Sequence, residues 1–166
     1  MATKTMNDLL ITFMQDVYYA ERQILKALPK MAKAAESEEL KDALMHHREE
    51  TQGQVERLQK AFEALGKRAR AQTCEAVNGM IEEGEEIIEQ FEAGPVRDAG
   101  IVGAAQAVEH YEMARYGTII AWAKAVDAND VVRLMQETLE EEKQADKKLN
   151  QLAQQRLNQE AVRHAA

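Results

Sequence analysis

Several glutamates of this chain occupy positions at which an amphipathic helix carries apolar residues. Four of them lie between apolar neighbours at a spacing of three or four residues: Glu21, Glu109, Glu112 and Glu142. A buried carboxylate without a partner costs several kcal/mol. Four such groups would cancel the roughly 5–15 kcal/mol by which a folded domain is stable. Bound cations would remove this cost, so the pattern predicts a metal site inside a helical bundle.

Other polar residues extend the candidate ligand set. Glu50 and Gln54 lie four residues apart in one predicted helix, and Glu142 and Asp146 have the same spacing in another. Bundles that hold two carboxylate-bridged metal ions take one Glu from each of two helices and a Glu-x-x-His motif from each of the others. Histidine is absent from the i+3 position in both helices here, so Gln54 and Asp146 are candidate replacements. Oxygen donors without thiolates favour iron or manganese over zinc.

Each of these residues also has a purely structural interpretation. A rotated helix would turn its glutamates toward solvent, and this alternative applies most readily to Glu50, Gln54 and Asp146. His47 lies at the edge of an apolar face, where we interpret it as support for a ligand or as a partly buried histidine that needs no metal. Tyr18, Tyr111 and Tyr116 could lie near the site as hydrogen-bond partners or redox residues, or could simply pack with their hydroxyls in water.

Helical periodicity predicts the elements that must position these side chains. The helices are expected at residues 5–35, 37–65, 73–92, 95–126 and 130–160. Short joints predict two antiparallel hairpins, and a connection of roughly 30 residues, partly helical at ~1.5 Å per residue, can return along the bundle. We therefore predict an all-α, ferritin-like four-helix bundle with one long crossover that contains one or two short helices. A single domain would span residues 1–166.

Composition limits the classes of function. The chain has 166 residues, of which 45% are hydrophobic and 30% charged, and its net charge of −8 argues against binding to nucleic acid or to a membrane surface. The only cysteine, Cys74, excludes an intrachain disulfide and fits a reducing compartment. Neither a signal peptide nor an apolar run of ~20 residues is present, so we expect a cytoplasmic protein.

Most of the chain resembles the YciF/YciE family of ferritin-like bacterial stress proteins. The resemblance runs in order from about residue 5 to residue 155. It rests on DVYYAERQILKALPKMA from residue 16, HREETQGQVERL from residue 47, CEAVNGMIEEGEE from residue 74, VEHYEMARY from residue 108 and TLEEEKQAD from residue 138. It implies a dimeric bundle with a rubrerythrin-like two-metal centre. The ligands that it implies are Glu21, Glu50, Glu109, Glu112 and Glu142, with Gln54 and Asp146 in place of histidines.

The combined expectation is a stress-response protein that binds two iron ions, or manganese, and reacts with O2 or peroxide. Oxidase, peroxidase and catalase-like activities all remain open. The alternative is a helical stress protein without enzymatic activity, which uses metal structurally and acts by forming a homodimer or binding a partner. The apolar side chains of residues 77–91 could provide that surface, or could pack the crossover onto its own bundle.

Overall fold

The computed structural model describes residues 3–164, which form helices and contain no β-strand. Four long helices are α1 (Met6–Ala34), α2 (Glu38–Ala64), α4 (Pro95–Ala125) and α5 (Asn129–Leu152), and the shorter α3 (Glu75–Gln90) lies in the crossover. A π-helical turn, Ala153–Leu157, joins α5 to the short α6 (Asn158–His164). The predicted all-α class is confirmed, although nothing in the sequence predicted the π-helical turn.

Local sequence signals explain where the helices begin. Thr5 forms a capping box with Asp8 at the start of α1, and the Ser37 hydroxyl accepts a hydrogen bond from the backbone N–H of Leu40 at the start of α2. Gly94 adopts φ 148°, which favours glycine, and Pro95 occupies the first turn of α4. These signals lie within one or two residues of the boundaries that the sequence predicts.

The connectivity is that of two antiparallel hairpins joined by one long crossover. The carboxylate of Asp98, in the first turn of α4, accepts backbone hydrogen bonds from Glu36 and Ser37 at 2.8 and 2.7 Å. This contact places the starts of α2 and α4 at the same end of the bundle, so the two helices run parallel. The crossover helix α3 packs against α1 and α4. The predicted bundle with one long crossover is confirmed.

The core consists of two apolar clusters with a layer of polar side chains between them. One cluster includes Ile24, Leu44, Ile101 and Leu149, and the other includes Met14, Leu58, Ile119 and Met135. Along each of the four long helices, the buried polar residues of the layer come between the segments that enter the two clusters. This polar layer consists of Glu21, His47, Thr51, Gln54, Glu109, Glu112, Thr138 and Glu142.

The polar layer interrupts every long helix that the structure describes. Within residues 3–164, no helix is long and apolar enough to cross a lipid bilayer. The buried side chains of the polar layer need hydrogen-bond partners or bound ions.

Candidate metal centre

Four buried side chains bring their ligand atoms together at the middle of the bundle. One atom each from His47 of α2, Glu109 and Glu112 of α4, and Glu142 of α5 lie within 4.8 Å of one another. The Nε2 atom of His47 is 3.2 Å from Oε1 of Glu109 and 3.6 Å from Oε2 of Glu142. Imidazole nitrogen and carboxylate oxygens are ligands that iron and manganese accept. We call these four residues the central cluster.

Most oxygens of the central cluster lack a hydrogen-bond donor. Oε2 of Glu109 and both carboxylate oxygens of Glu112 and Glu142 are buried and have no hydrogen-bond partner among residues 3–164. Buried polar groups in folded proteins are almost always hydrogen-bonded, and buried charges are paired or bind metal. The donor set therefore fits one or more bound cations.

Burial changes the protonation of the cluster. Removal from water, and then the neighbouring charge of Glu142, raise the pKa values of Glu109 and Glu112 well above their usual range. The protein without metal therefore retains protons on these carboxyl groups at pH values where an exposed glutamate is ionised. A metal ion that binds here must displace those protons.

Glu21 brings a further carboxylate from α1. The hydroxyl of Tyr116 donates a hydrogen bond to Oε1 of Glu21, whereas Oε2 has no partner in the described part of the chain. Burial and the charge of Glu142 raise the pKa of Glu21, although the hydrogen bond from Tyr116 opposes this shift. Glu21 lies in the same polar layer as the central cluster but is not one of its four residues.

Glu50 contacts the cluster through His47. Oε2 of Glu50 is 3.2 Å from Nδ1 of His47, and Glu50 is only half-buried. A carboxylate can only accept, so Nδ1 carries the proton and Nε2 faces the carboxylates of the cluster. This hydrogen bond lowers the pKa of Glu50. Burial lowers the pKa of His47, but the hydrogen bond to Glu50 and the charge of Glu142 outweigh burial and raise it.

Gln54 and Asp146 have protein partners of their own. Nε2 of Gln54 donates to Oε2 of Glu141 at 3.1 Å, and Arg57 donates to the same carboxylate. Oε1 of Gln54 is buried without a donor among the described residues. Asp146 is partly exposed and accepts a hydrogen bond from Nε2 of Gln106 at 3.0 Å. Neither side chain belongs to the central cluster.

A cleft between α2 and α5, lined by both charged and apolar side chains, reaches the cluster from outside. It offers about 430 Å³ to the centre of a water-sized sphere. Its lining includes Asp42, His46, His47, Glu50, Glu109, Gln144 and Lys148. Exposed acidic and imidazole side chains and Lys148 lie at the outside of this cleft, and the buried Glu109 lies at its inner end.

The structure brings some of the predicted ligand residues together and places others apart from them. Glu109, Glu112 and Glu142 come together, Glu21 lies in the same layer, and the remaining three predicted ligands have other hydrogen-bond partners. His47, which we interpreted as a supporting or partly buried residue, is instead a member of the cluster. The signal that could have identified it is its place three residues from Leu44 and four from Thr51 on one helical face.

Comparison with known proteins gives matches over nearly the whole chain. Residues 5–162 match a family described as a domain of unknown function, DUF892. The chain is 42% identical over 166 residues to Protein YciF of Escherichia coli strain K12, covering 99% of this chain and 100% of that protein.

Solved structures of similar proteins share the fold. The crystal structure of the E. coli stress protein YciF matches with a TM-score of 0.88 and 43% identity, covering 91% of this chain and 96% of that chain. The YcfI protein of Rhodopseudomonas palustris matches with a TM-score of 0.87 and 49% identity, covering 89% of this chain and 94% of that one. From the family match and the identity to YciF, we conclude that this chain belongs to the DUF892 family, together with the bacterial stress protein YciF.

Proposed function

We propose that this chain is a ferritin-like stress-response protein that binds two iron ions, or manganese, and uses them to react with O2 or peroxide. The observation that carries the proposal is the set of buried carboxylate oxygens on Glu21, Glu109, Glu112 and Glu142 without hydrogen-bond partners in the described chain. Uncompensated, these groups would destabilise the fold by several kcal/mol each. A pair of divalent cations would compensate their charge.

The proposed ligands would hold the two ions from all four long helices, three through the central cluster and α1 through Glu21. His47 and Glu109 would hold one ion, because Nε2 of His47 and Oε1 of Glu109 are 3.2 Å apart. Glu21 and Glu112 would hold the other, because their buried carboxyl groups lie close enough for each to shift the pKa of the other. Glu142 would contribute a further carboxylate to the site, since it lies near His47, Glu109 and Glu112 and its charge also raises the pKa of Glu21.

The protein itself would control access, orientation and protons. Iron, when bound, supplies the electrons for reduction of O2 or peroxide. Glu50 orients the imidazole of His47 and fixes its tautomer. Tyr116 holds the carboxylate of Glu21 through its hydroxyl. The two apolar clusters on either side of the polar layer limit the access of bulk water.

The test combines metal stoichiometry with turnover. Purified protein is reconstituted anaerobically with Fe²⁺, desalted, analysed for metal, and then mixed with O2 or H2O2 while iron oxidation is followed. We expect about two ions per chain, by analogy with two-metal carboxylate bundles. Glu142→Gln should lose tight binding, whereas the control Glu140→Gln, on the exposed face of α5, should bind as the parent does. Failure of the parent to retain metal would refute the proposal.

A second candidate is a non-enzymatic helical stress protein that keeps metal for folding and acts as a homodimer. The similar YcfI protein is described as a candidate structural protein, and Phe91, at the end of α3, is 44% exposed. Stabilisation by metal without oxidation of iron, together with a dimer in sedimentation, would favour this function. We also propose cytoplasmic localisation, which the single, buried Cys74 supports.

A further inference from the structure

A narrow apolar cavity lies between α1, α3 and α4 and extends to Glu109 in the polar layer. Its walls include Ile24, Leu28, Met80, Ile88, Ala105 and Val108. At its outer end the exposed side chains of Lys30 and Glu85 form an ion pair of 3.0 Å between α1 and α3. At its inner end lies the buried Glu109 of the central cluster.

Glu109 therefore borders two spaces that differ in size and in the polarity of their walls. The cleft between α2 and α5 has charged and imidazole side chains among its apolar ones, whereas the cavity is lined by aliphatic side chains and methionines between Glu109 and the Lys30–Glu85 pair. The cavity is also far smaller, since it offers about 30 Å³ to the centre of a water-sized sphere against about 430 Å³ in the cleft. One route suits hydrated cations, and the other excludes them.

The size and lining of the cavity restrict its occupant. A single water needs roughly 10–15 Å³ by the same measure and two to four polar partners, so the apolar walls of this cavity disfavour water. Hydrogen peroxide would lose its hydrogen bonds on entry, which costs free energy that aliphatic side chains cannot return. Dioxygen is a small apolar molecule with no hydrogen bonds to lose, so it suits a small cavity with apolar walls.

We propose that this cavity is a binding site for dioxygen, which it holds beside Glu109 at the edge of the central cluster. The inference rests on the proposed function and makes it more specific, because it selects O2 over peroxide as the substrate that uses this route. Cations would then enter through the cleft and dioxygen through the cavity, so the two reactants reach the same carboxylate from different sides.

Xenon binding to the protein without metal tests the cavity independently of any reaction. Xenon is an apolar atom that occupies dry apolar cavities, and its occupancy can be read from the ¹²⁹Xe chemical shift or from a xenon-pressurised crystal. We expect one xenon site between α1, α3 and α4. Ala105→Leu, which fills the cavity from α4, should lose it, whereas Ala107→Leu, on the exposed face of α4, should keep it. Absence of xenon from the parent would overturn the proposal.

A second variant, which enlarges the cavity, keeps the test valid if the cavity-filling variant does not fold. Ile88→Ala removes aliphatic atoms from the cavity wall and should strengthen the xenon signal, so the cavity is tested even if Ala105→Leu does not fold. An unchanged signal in Ile88→Ala would overturn the assignment of xenon to this cavity.

The rate of oxidation of bound Fe²⁺ then distinguishes O2 from H2O2 as the substrate that uses the cavity. In Ala105→Leu we expect slower oxidation by O2, an unchanged rate with H2O2 and an unchanged iron stoichiometry. Equal effects on both oxidants, or no effect on O2, would overturn the delivery role. The parent could bind xenon and iron while neither O2 nor H2O2 oxidises the bound Fe²⁺. In that case the proposed function and the delivery of O2 both fail, whereas the xenon result still identifies a gas site.

Discussion

The Nδ1 atom of His47 lies 3.2 Å from Oε2 of Glu50, and this contact determines which nitrogen of the imidazole faces the interior. Because Nδ1 donates to a carboxylate, Nε2 is directed at the carboxylates of the central cluster. Metal-binding histidines usually have such a partner on the nitrogen that does not bind metal. Glu50 can therefore contribute to metal binding without being a ligand itself.

The contact between Glu50 and His47 predicts that mutation of Glu50 weakens Fe²⁺ binding less than mutation of His47 does. Glu50→Gln should weaken Fe²⁺ binding about 10–100-fold, the usual effect of removing the partner of a metal-bound histidine. His47→Ala should weaken it further, because a ligand atom is lost. The measurement is competitive titration with a chelator under anaerobic conditions.

The matched control is Glu49→Gln, because Glu49 is the exposed neighbour of Glu50 and is outside the cleft lining. It should bind iron as the parent does. If Glu50→Gln lowered affinity as much as His47→Ala, Glu50 would be a ligand in its own right and the supporting role would be wrong.

Metal binding should release protons. Burial and the charge of Glu142 raise the pKa values of Glu109 and Glu112 well above their usual range, so these carboxyl groups retain protons that a cation displaces. We expect about one or more protons released per chain near neutral pH, and an affinity that increases with pH. Calorimetric titration in two buffers of different ionisation enthalpy measures the number. A binding heat that does not depend on the buffer would contradict this prediction.

The protein without metal should lose stability as the pH rises. The folded state binds more protons than the unfolded chain, because the folded pKa values of Glu21, Glu109 and Glu112 are raised from 4.5. The free energy of unfolding therefore falls as the pH rises from the unfolded value through the folded values. The raised pKa of His47 acts in the same direction. Urea unfolding at about pH 5.5 should give a higher midpoint than at about pH 8, and bound metal should reduce this difference.

Glu112→Gln should stabilise the protein without metal while it abolishes tight metal binding. Glutamine has nearly the shape of the protonated acid but cannot ionise, so the variant avoids a buried charge. We expect a gain of about 1–3 kcal/mol in the free energy of unfolding near pH 8, the scale of one unsatisfied buried group. Glu140→Gln, at an exposed site, should change stability by less than about 0.5 kcal/mol. A destabilised Glu112→Gln would indicate that Glu112 has partners other than metal.

The contact between the hairpins should be independent of metal. The carboxylate of Asp98 accepts the backbone N–H groups of Glu36 and Ser37 and is 2% exposed. Asp98→Ala leaves two donors unpaired and should lower the free energy of unfolding by about 2–5 kcal/mol, with or without metal. Asp130→Ala, in the exposed first turn of α5, is the control and should have a small effect. Equal effects at both sites would contradict a structural role for Asp98.

The sequence was sufficient to predict the four long helices, the crossover helix and their connectivity, because periodicity, caps and connection lengths are local properties. It predicted one helix over 130–160, where the structure has α5, a π-helical turn and α6. The same periodicity identified Glu21, Glu109, Glu112 and Glu142 as inward-facing, and all four are buried. The distinction between Glu50 and His47 depends on how α2 is rotated against α4 and α5, which periodicity does not specify. The partners of Gln54 and Asp146 lie 87 and 40 residues away along the chain, so they are tertiary contacts without a local signal.

Residues of the polar layer come from both hairpins, and this has a consequence for the way in which the protein unfolds. The contacts of Asp98 hold the hairpins together at one end, while His47 of the first hairpin faces Glu109 and Glu142 of the second at mid-length. A metal ion bound there would act as a removable cross-link between segments that are distant in the chain. Amide exchange in α2 and α5 would then become a single cooperative opening when metal is present and separate into two openings when it is removed.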